Sequence, residues 1–143
     1  MKSFNEYLRE GKVLKQSPDQ AEAESLFSQA QQRIRDLLVL PLQERNASFR
    51  FESAYEVLRE SLQAFLALAG YKPYSHEAVF AFAHEERLIS EAEHHRADRY
   101  REIRHDINYR GTLVPVEEAK EIIQFVKQLL PRLQKEFEKR KGE

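Results

Sequence analysis

The sequence contains no cysteine, and only 4 of its 143 residues are glycine. Without cysteine the chain can form no disulfide, no thiolate zinc site and no cysteine nucleophile, a composition that suits a reducing cytosol. Few glycines together with 33% charged residues are typical of solvated helices rather than of turn-rich sheets. We therefore expect a cytoplasmic, all-α protein.

Long hydrophobic runs and a charge excess are also missing. Fully apolar stretches, such as residues 37–40 and 64–69, are far shorter than a membrane span, and the polar start MKSFNEYLRE is unlike a signal peptide. The 23 basic and 24 acidic side chains nearly cancel, so no global field attracts nucleic acid or anionic lipid. Any binding of a polyanion must be local, and no membrane partner is expected.

Widely spaced glycines and prolines divide the chain into helix-sized segments in which apolar residues recur at steps of three and four. The helices that we predict cover residues 3–15, 18–40, 43–69, 75–82, 88–107 and 115 onward. Because the connections between them are short, the fold class is an antiparallel up-down bundle of about five to six helices without strands. We predict a single domain over residues 1–143, with an N-terminal arm at 1–17 and a frayed charged tail at 138–143.

The predicted core is formed by apolar residues on the inner faces of the second, third, fifth and sixth helices. These residues are Leu26, Ile34, Tyr55, Leu58, Leu62, Phe65, Ile103, Ile107, Ile123, Val126 and Leu130.

Polar side chains form a stripe on the fifth predicted helix, beside its core face. At about 100° per residue, the side chains on this face are His94, Asp98, Arg101, Arg104, His105 and Asn108. Guanidinium groups bind phosphate oxygens in pairs, and imidazole transfers protons near neutral pH. The stripe could therefore hold a phosphodiester. Alternatively, its basic residues only pair with acids one helical turn away, at about 0.2–0.5 kcal/mol per pair.

Other histidines offer weaker signals. Glu91 and His94 have the i, i+3 spacing of carboxylate di-iron bundles, but such sites need the pair on two helices, and no other predicted helix carries one. His76 and His84 lie at the two ends of the fourth predicted helix, where capping or surface roles are sufficient. We expect no metal and no cofactor.

The segment Arg101 to Gly111, REIRHDINYRG, resembles the signature of HEPN proteins (higher eukaryotes and prokaryotes nucleotide-binding), in which an arginine precedes a histidine near the end of a long helix. Upstream, FESAYEVLRESLQAFLALA and GYKPYSHEAV are similar to a helix and a turn of that superfamily, and residues 115–130 are similar to its closing helix. The resemblance extends over residues 21–133.

The resemblance implies a helical bundle that is usually a homodimer and is often encoded beside a minimal nucleotidyltransferase as a toxin–antitoxin pair. Active members of the superfamily cut RNA without a metal. Aligning Arg104 with the motif arginine places His105 at the usual polar position and Tyr109 where the catalytic histidine is expected, so these three are the candidate catalytic residues. Because a phenol is a poor proton shuttle near neutral pH, the tyrosine argues against cleavage.

Three hypotheses about function follow. The first is a HEPN-like protein that binds a nucleotide, RNA or a nucleotidyltransferase partner without cleavage. The second is a metal-independent endoribonuclease that uses Arg104 and His105, and the third is a plain protein-interaction module. For the first, the nucleotide- or RNA-binding residues are His94, Asp98, Arg101, Arg104 and Asn108.

Overall fold

The computed structural model describes residues 1–142. Within this range the chain forms six α-helices and two short strands, and a 3-10 turn at Glu44–Asn46 precedes the third helix. The elements in chain order are α1 (Phe4–Arg9), β1 (Val13–Lys15), α2 (Gln20–Val39), α3 (Ala47–Ala69), β2 (Tyr71–Pro73), α4 (His76–Glu85), α5 (Glu91–Arg110) and α6 (Val116–Lys141). The predicted all-α helical bundle is confirmed.

Helix α3 lies at the centre and packs against α2, α4, α5 and α6. Most of the predicted core residues are buried, but Leu26, Ile103 and Ile107 are only partly buried against the core. The two isoleucines lie at the edge of the α5 interface because α5 turns Ala97 and Tyr100 inward instead. The predicted core is therefore wrong at these three positions.

The prediction of a first helix through residue 15, and of a fold without strands, is wrong. Helix α1 ends at Arg9, and Gly11 adopts the left-handed conformation with φ of 74°, which turns the chain. The following residues form β1, which pairs antiparallel with β2 so that Val13 lies opposite Pro73. Val13 is fully buried, so the pairing also contributes to the core.

Gly70 ends α3 and fixes the path of the chain into β2. Its φ is 91°, and a Cβ there would lie 2.7 Å from the carbonyl oxygen of Gln16. The Gly70 carbonyl accepts a hydrogen bond from the Gln16 amide at 3.0 Å, which extends the contact between the two segments beyond the strands. Any side chain at this position would therefore push the N-terminal segment away from α3.

The charged C-terminal segment was expected to fray from residue 138, but α6 continues to Lys141. Arg140 pairs with Glu86 at 2.9 Å, and Lys141 pairs with Glu24 at 3.3 Å, so two other elements hold the last turn. Residue 143 lies outside the described residues. Among the helices that the structure describes, none is long and apolar enough to cross a membrane.

Candidate functional site

Helix α5 carries the predicted polar stripe, and its packing sets the direction of that stripe. Ser90 caps its first turn, and Gly111 ends it in the left-handed conformation. Tyr100 is fully buried between α3 and α6, with its ring 5.9 Å from that of Phe51 and 5.6 Å from that of Phe125. With Tyr100 fixed in the core, the residues beside it face α3 and the first turn of α4.

Two arginines of the stripe lie next to α3 and differ in their ion pairing. Arg101 pairs with Asp98 at 3.0 Å and lies 3.8 Å from Glu77 at the start of α4. The guanidinium carbon of Arg104 lies 5.9 Å from the centroid of the Tyr55 ring. Within residues 1–142, Arg104 has no carboxylate within the 4.0 Å of an ion pair. Arg104 is thus a half-buried cation without a direct ion pair, although it acts through its charge on the carboxylate of Glu56.

Asn108 connects Arg104 to α3. With its amide oriented to satisfy both neighbours, Asn108 accepts a hydrogen bond from Arg104 Nε at 3.1 Å and donates one to the carboxylate of Glu52. The carboxylate thus reaches the arginine only through an amide. This arrangement fixes the position of the guanidinium without neutralising its charge.

Tyr55 and His76 form a second pair beneath the arginines. The Tyr55 hydroxyl lies 2.8 Å from His76 Nδ1. Burial and, after it, the positive charges of Arg59 and Arg104 together lower the pKa of His76 to about 4. The imidazole is therefore neutral at pH 7. Burial also raises the pKa of Tyr55, so the phenol keeps its proton.

Arg59, one turn along α3 from Tyr55, adds a third guanidinium. It pairs with Glu56 at 2.6 Å and donates to Gln63 at 2.5 Å. Burial acts to raise the pKa of Glu56, but its hydrogen bond and ion pair with Arg59 outweigh this effect and lower the pKa. We call Arg59, Arg101, Arg104 and His76 the arginine cluster, because all three guanidinium charges act on the same imidazole.

The structure separates His94 from Arg104 and Asn108, although it lines the same surface pocket as Asp98. Its ring lies 5.1 Å from that of His84, and it is buried near the start of α5. Burial, followed by the charge of His84, lowers its pKa. Ten residues along a helix correspond to about 15 Å, so His94 is too distant to share a phosphate with Arg104. It was predicted as a ligand-binding residue, but it lies in a different environment.

His105 and Tyr109 lie outside the arginine cluster. Their rings pack against each other with centroids 4.5 Å apart, and 74% of Tyr109 is exposed. His105 is also exposed, about 100° around the helix from Arg104. Of the predicted residues, the structure therefore pairs Asp98 with Arg101 and Arg104 with Asn108.

The sequence analysis did not assign the partners that α3 and α4 contribute. His76 was interpreted as a cap or surface residue and Tyr55 as plain core, yet they are hydrogen-bonded to each other below the arginines. The sequence does contain a signal of this contribution. Polar residues recur at steps of four and three on a largely buried helix, at Glu52, Glu56 and Arg59. That spacing places a polar stripe on α3, opposite the stripe on α5.

Within residues 1–142, no three His, Asp or Glu side chains converge in a way that could hold a metal ion. Glu91 and His94 accordingly belong to no such group in the described chain. Comparisons of the chain with family models, with curated proteins and with solved structures gave no significant match.

Proposed function

We propose that this chain is a HEPN-like helical protein that binds a phosphate group of RNA or a nucleotide at the arginine cluster without cleaving it. The observation that carries this proposal is Arg104, a half-buried guanidinium that has no carboxylate partner within residues 1–142. A partly buried cation is stabilised when an anion is placed beside it, and guanidinium matches the geometry of phosphate oxygens.

The groups around Arg104 also favour the binding of a phosphate. The positive charges of Arg59 and Arg101 act on the same imidazole as that of Arg104, although each of the two already has an acidic partner. His76 is neutral at pH 7, so its ring offers a hydrogen bond without adding a charge. The unpaired Arg104 is thus the primary contact, and the paired arginines strengthen the local field.

The placement of the proton-transfer groups favours binding over cleavage. Metal-independent cleavage of RNA needs an acid and a base beside the phosphate that the arginine holds. His76 shares Nδ1 with Tyr55 and has a strongly lowered pKa. His105 and Tyr109 are exposed to solvent on a different side of α5 from Arg104. Within residues 1–142, one subunit therefore offers no suitable acid and base beside the phosphate.

The endoribonuclease hypothesis keeps one supporting observation. The exposed rings of His105 and Tyr109 pack together at 4.5 Å, next in sequence to Arg104 and its Asn108 contact. A second subunit placed against this end of α5 would bring its own His105 near the phosphate. Cleavage would then require the dimer, whereas binding by Arg104 would not.

We also propose a homodimer that forms through this end of the molecule. Tyr109 and Leu113 are 74% and 84% exposed, although both are large and hydrophobic. A contiguous exposed apolar patch is typical of a protein interface, and these two side chains lie four residues apart at the end of α5. A minimal nucleotidyltransferase is the alternative partner that the HEPN resemblance implies. A plain interaction module would use the same surface without the arginine cluster.

The test compares two arginines of α5. Arg104→Gln removes the unpaired guanidinium, whereas Arg110→Gln removes one that is exposed and lies 3.7 Å from Asp106. Fluorescence anisotropy with a labelled single-stranded RNA should show at least a tenfold loss of affinity for the first variant and little change for the second. Because phosphate contacts release counterions, the binding of the natural chain should weaken as salt rises. Equal losses for both variants would refute the assignment to the cluster.

A further inference from the structure

A second arginine is buried without an acidic partner, and its contacts are separate from those of the arginine cluster. Arg50 is only 3% exposed in the first turn of α3. Its Nη1 donates a hydrogen bond to the carbonyl oxygen of Leu40, and its Nε is buried without any hydrogen-bond partner within residues 1–142. Leu40 is the C-cap of α2, so this bond satisfies one carbonyl at a helix end.

Capping alone does not explain a buried guanidinium. The group carries five N–H donors and a full charge, and the carbonyl of Leu40 takes one donor and offsets no charge. A desolvated cation without a counter-ion is costly, and natural proteins almost always pair it. In the described chain Nη2 of Arg50 also forms no hydrogen bond, but it is not sealed from solvent as Nε is.

Arg50 lines a cavity between α2 and α3 with a volume of about 490 Å³. Leu37, Leu40 and Phe49 supply its apolar wall, and Phe49 and Leu40 are 65% and 56% exposed. This size and this mixture of apolar wall and a few polar groups are typical of small-molecule sites. The unpaired guanidinium therefore lines a space that a ligand with an apolar body can fill.

Of the other charges around the cavity, one is paired and one is exposed to solvent. Arg33 pairs with the buried carboxylate of Glu60 at 2.8 Å. Asp36 is exposed and accepts a hydrogen bond from Gln32 at 2.9 Å. Arg50 remains the one desolvated charge of the cavity, as far as residues 1–142 are concerned. A single negative charge would neutralise it, whereas a dianion would also be repelled by Asp36.

We propose that this cavity binds a small organic carboxylate, with the carboxylate on Arg50 and the apolar body against Leu37, Leu40 and Phe49. The inference is independent of the RNA proposal, since no residue of the arginine cluster lines this cavity. The carboxylate supplies the missing counter-charge, and burial of the apolar body supplies the hydrophobic contribution.

The test uses two probes of the same shape. Isothermal titration calorimetry with 2-naphthoate and with the neutral 2-naphthamide measures the contribution of the carboxylate. The natural chain should bind naphthoate at least tenfold more tightly than the amide. In Arg50→Met the naphthoate affinity should fall to that of the amide, and the amide affinity should stay the same. Arg45→Met, at an exposed position nearby, should retain the preference for naphthoate.

Two further variants keep the test decisive if Arg50→Met unfolds. Asp36→Asn removes the opposing charge and should tighten naphthoate binding without affecting the amide. Gln29→Trp, at an exposed lining position, fills the cavity while retaining Arg50 and should weaken both probes. Equal binding of the two probes, or no binding of naphthoate at millimolar concentration, overturns the proposal. If replacement of Arg50 lowers the melting temperature but leaves the preference for naphthoate intact, Arg50 acts as a helix cap alone.

Discussion

The Tyr55 hydroxyl and His76 Nδ1 lie 2.8 Å apart and join the centre of α3 to the first residue of α4. The pair is placed directly beneath Arg104, whose guanidinium carbon lies 5.9 Å from the Tyr55 ring. The hydroxyl fixes the imidazole, which burial keeps neutral, and the ring surface accommodates the cation. The Tyr55–His76 pair therefore couples the stability of the fold to the geometry of the candidate phosphate site.

Removing the Tyr55 hydroxyl should destabilise the protein. Tyr55→Phe keeps the buried ring but leaves His76 Nδ1 without its partner, so we expect a loss of about 1–3 kcal/mol in the free energy of unfolding. Urea denaturation measures this loss. Tyr109→Phe is the matched control, because that hydroxyl is on a ring that is 74% exposed and its removal should leave stability unchanged. Equal stability of the two variants would show that the Tyr55–His76 bond contributes nothing.

The lowered pKa of His76 predicts a loss of stability in mild acid. The unfolded imidazole gains a proton as pH falls below its ordinary pKa of 6.5, whereas the folded imidazole resists until about pH 4. Protonation between these values therefore favours the unfolded chain, and the stability present above pH 6.5 is lost as pH falls toward 4. Thermal melts from pH 7.5 to 4 measure the slope. His76→Gln should flatten this slope, and an unchanged slope would assign the effect to other groups.

The core prediction is tested at Leu62, which is fully buried on α3. Leu62→Ala leaves a cavity in the centre of the bundle and should cost about 2–5 kcal/mol in the free energy of unfolding. Leu113→Ala provides the comparison, since its side chain is 84% exposed and its loss should cost almost nothing. Guanidinium titrations of both variants give the two values. A loss below about half a kcal/mol at Leu62 would contradict its placement in the core.

The regular parts of the fold were predictable because their signals are local. The apolar spacing of α2, α3 and α6 follows from the sequence, and the helix predicted from residue 75 begins at His76 with Ser75 as its N-cap. The β1–β2 pairing was not predictable, since Val13 and Pro73 are brought together only by the packing of α1 and α4. A three-residue strand has too few positions to show alternation.

The candidate site was predictable only in part, for a similar reason. A helical wheel places Asp98, Arg101, Arg104 and Asn108 on one face without knowledge of any partner. The wheel cannot say which part of a 20-residue helix faces which neighbour, so it also included His94, which packs near His84 instead. The contribution of α3 and α4 to the cluster depends on tertiary packing and lies outside a single-helix analysis.

The proposed dimer predicts a specific response to a charge at the exposed end of α5. The natural chain should be a dimer at micromolar concentration in multi-angle light scattering. Leu113→Glu places a carboxylate in the proposed apolar interface, where burial of an unpaired charge is unfavourable, and should yield a monomer. Leu14→Glu, at an exposed position on β1, should not affect the dimer. A monomeric natural chain would contradict the proposal.

We propose that the arginine cluster holds a phosphate that the protein does not cut. The most direct measurement is a native gel with end-labelled single-stranded RNA in EDTA, run beside a denaturing gel of the same mixture. We predict a shifted complex at low salt, intact RNA on the denaturing gel, and loss of the shift in Arg104→Gln. Cleavage of the RNA by the natural chain in EDTA, abolished by His105→Ala, would contradict the account and establish a metal-independent endoribonuclease.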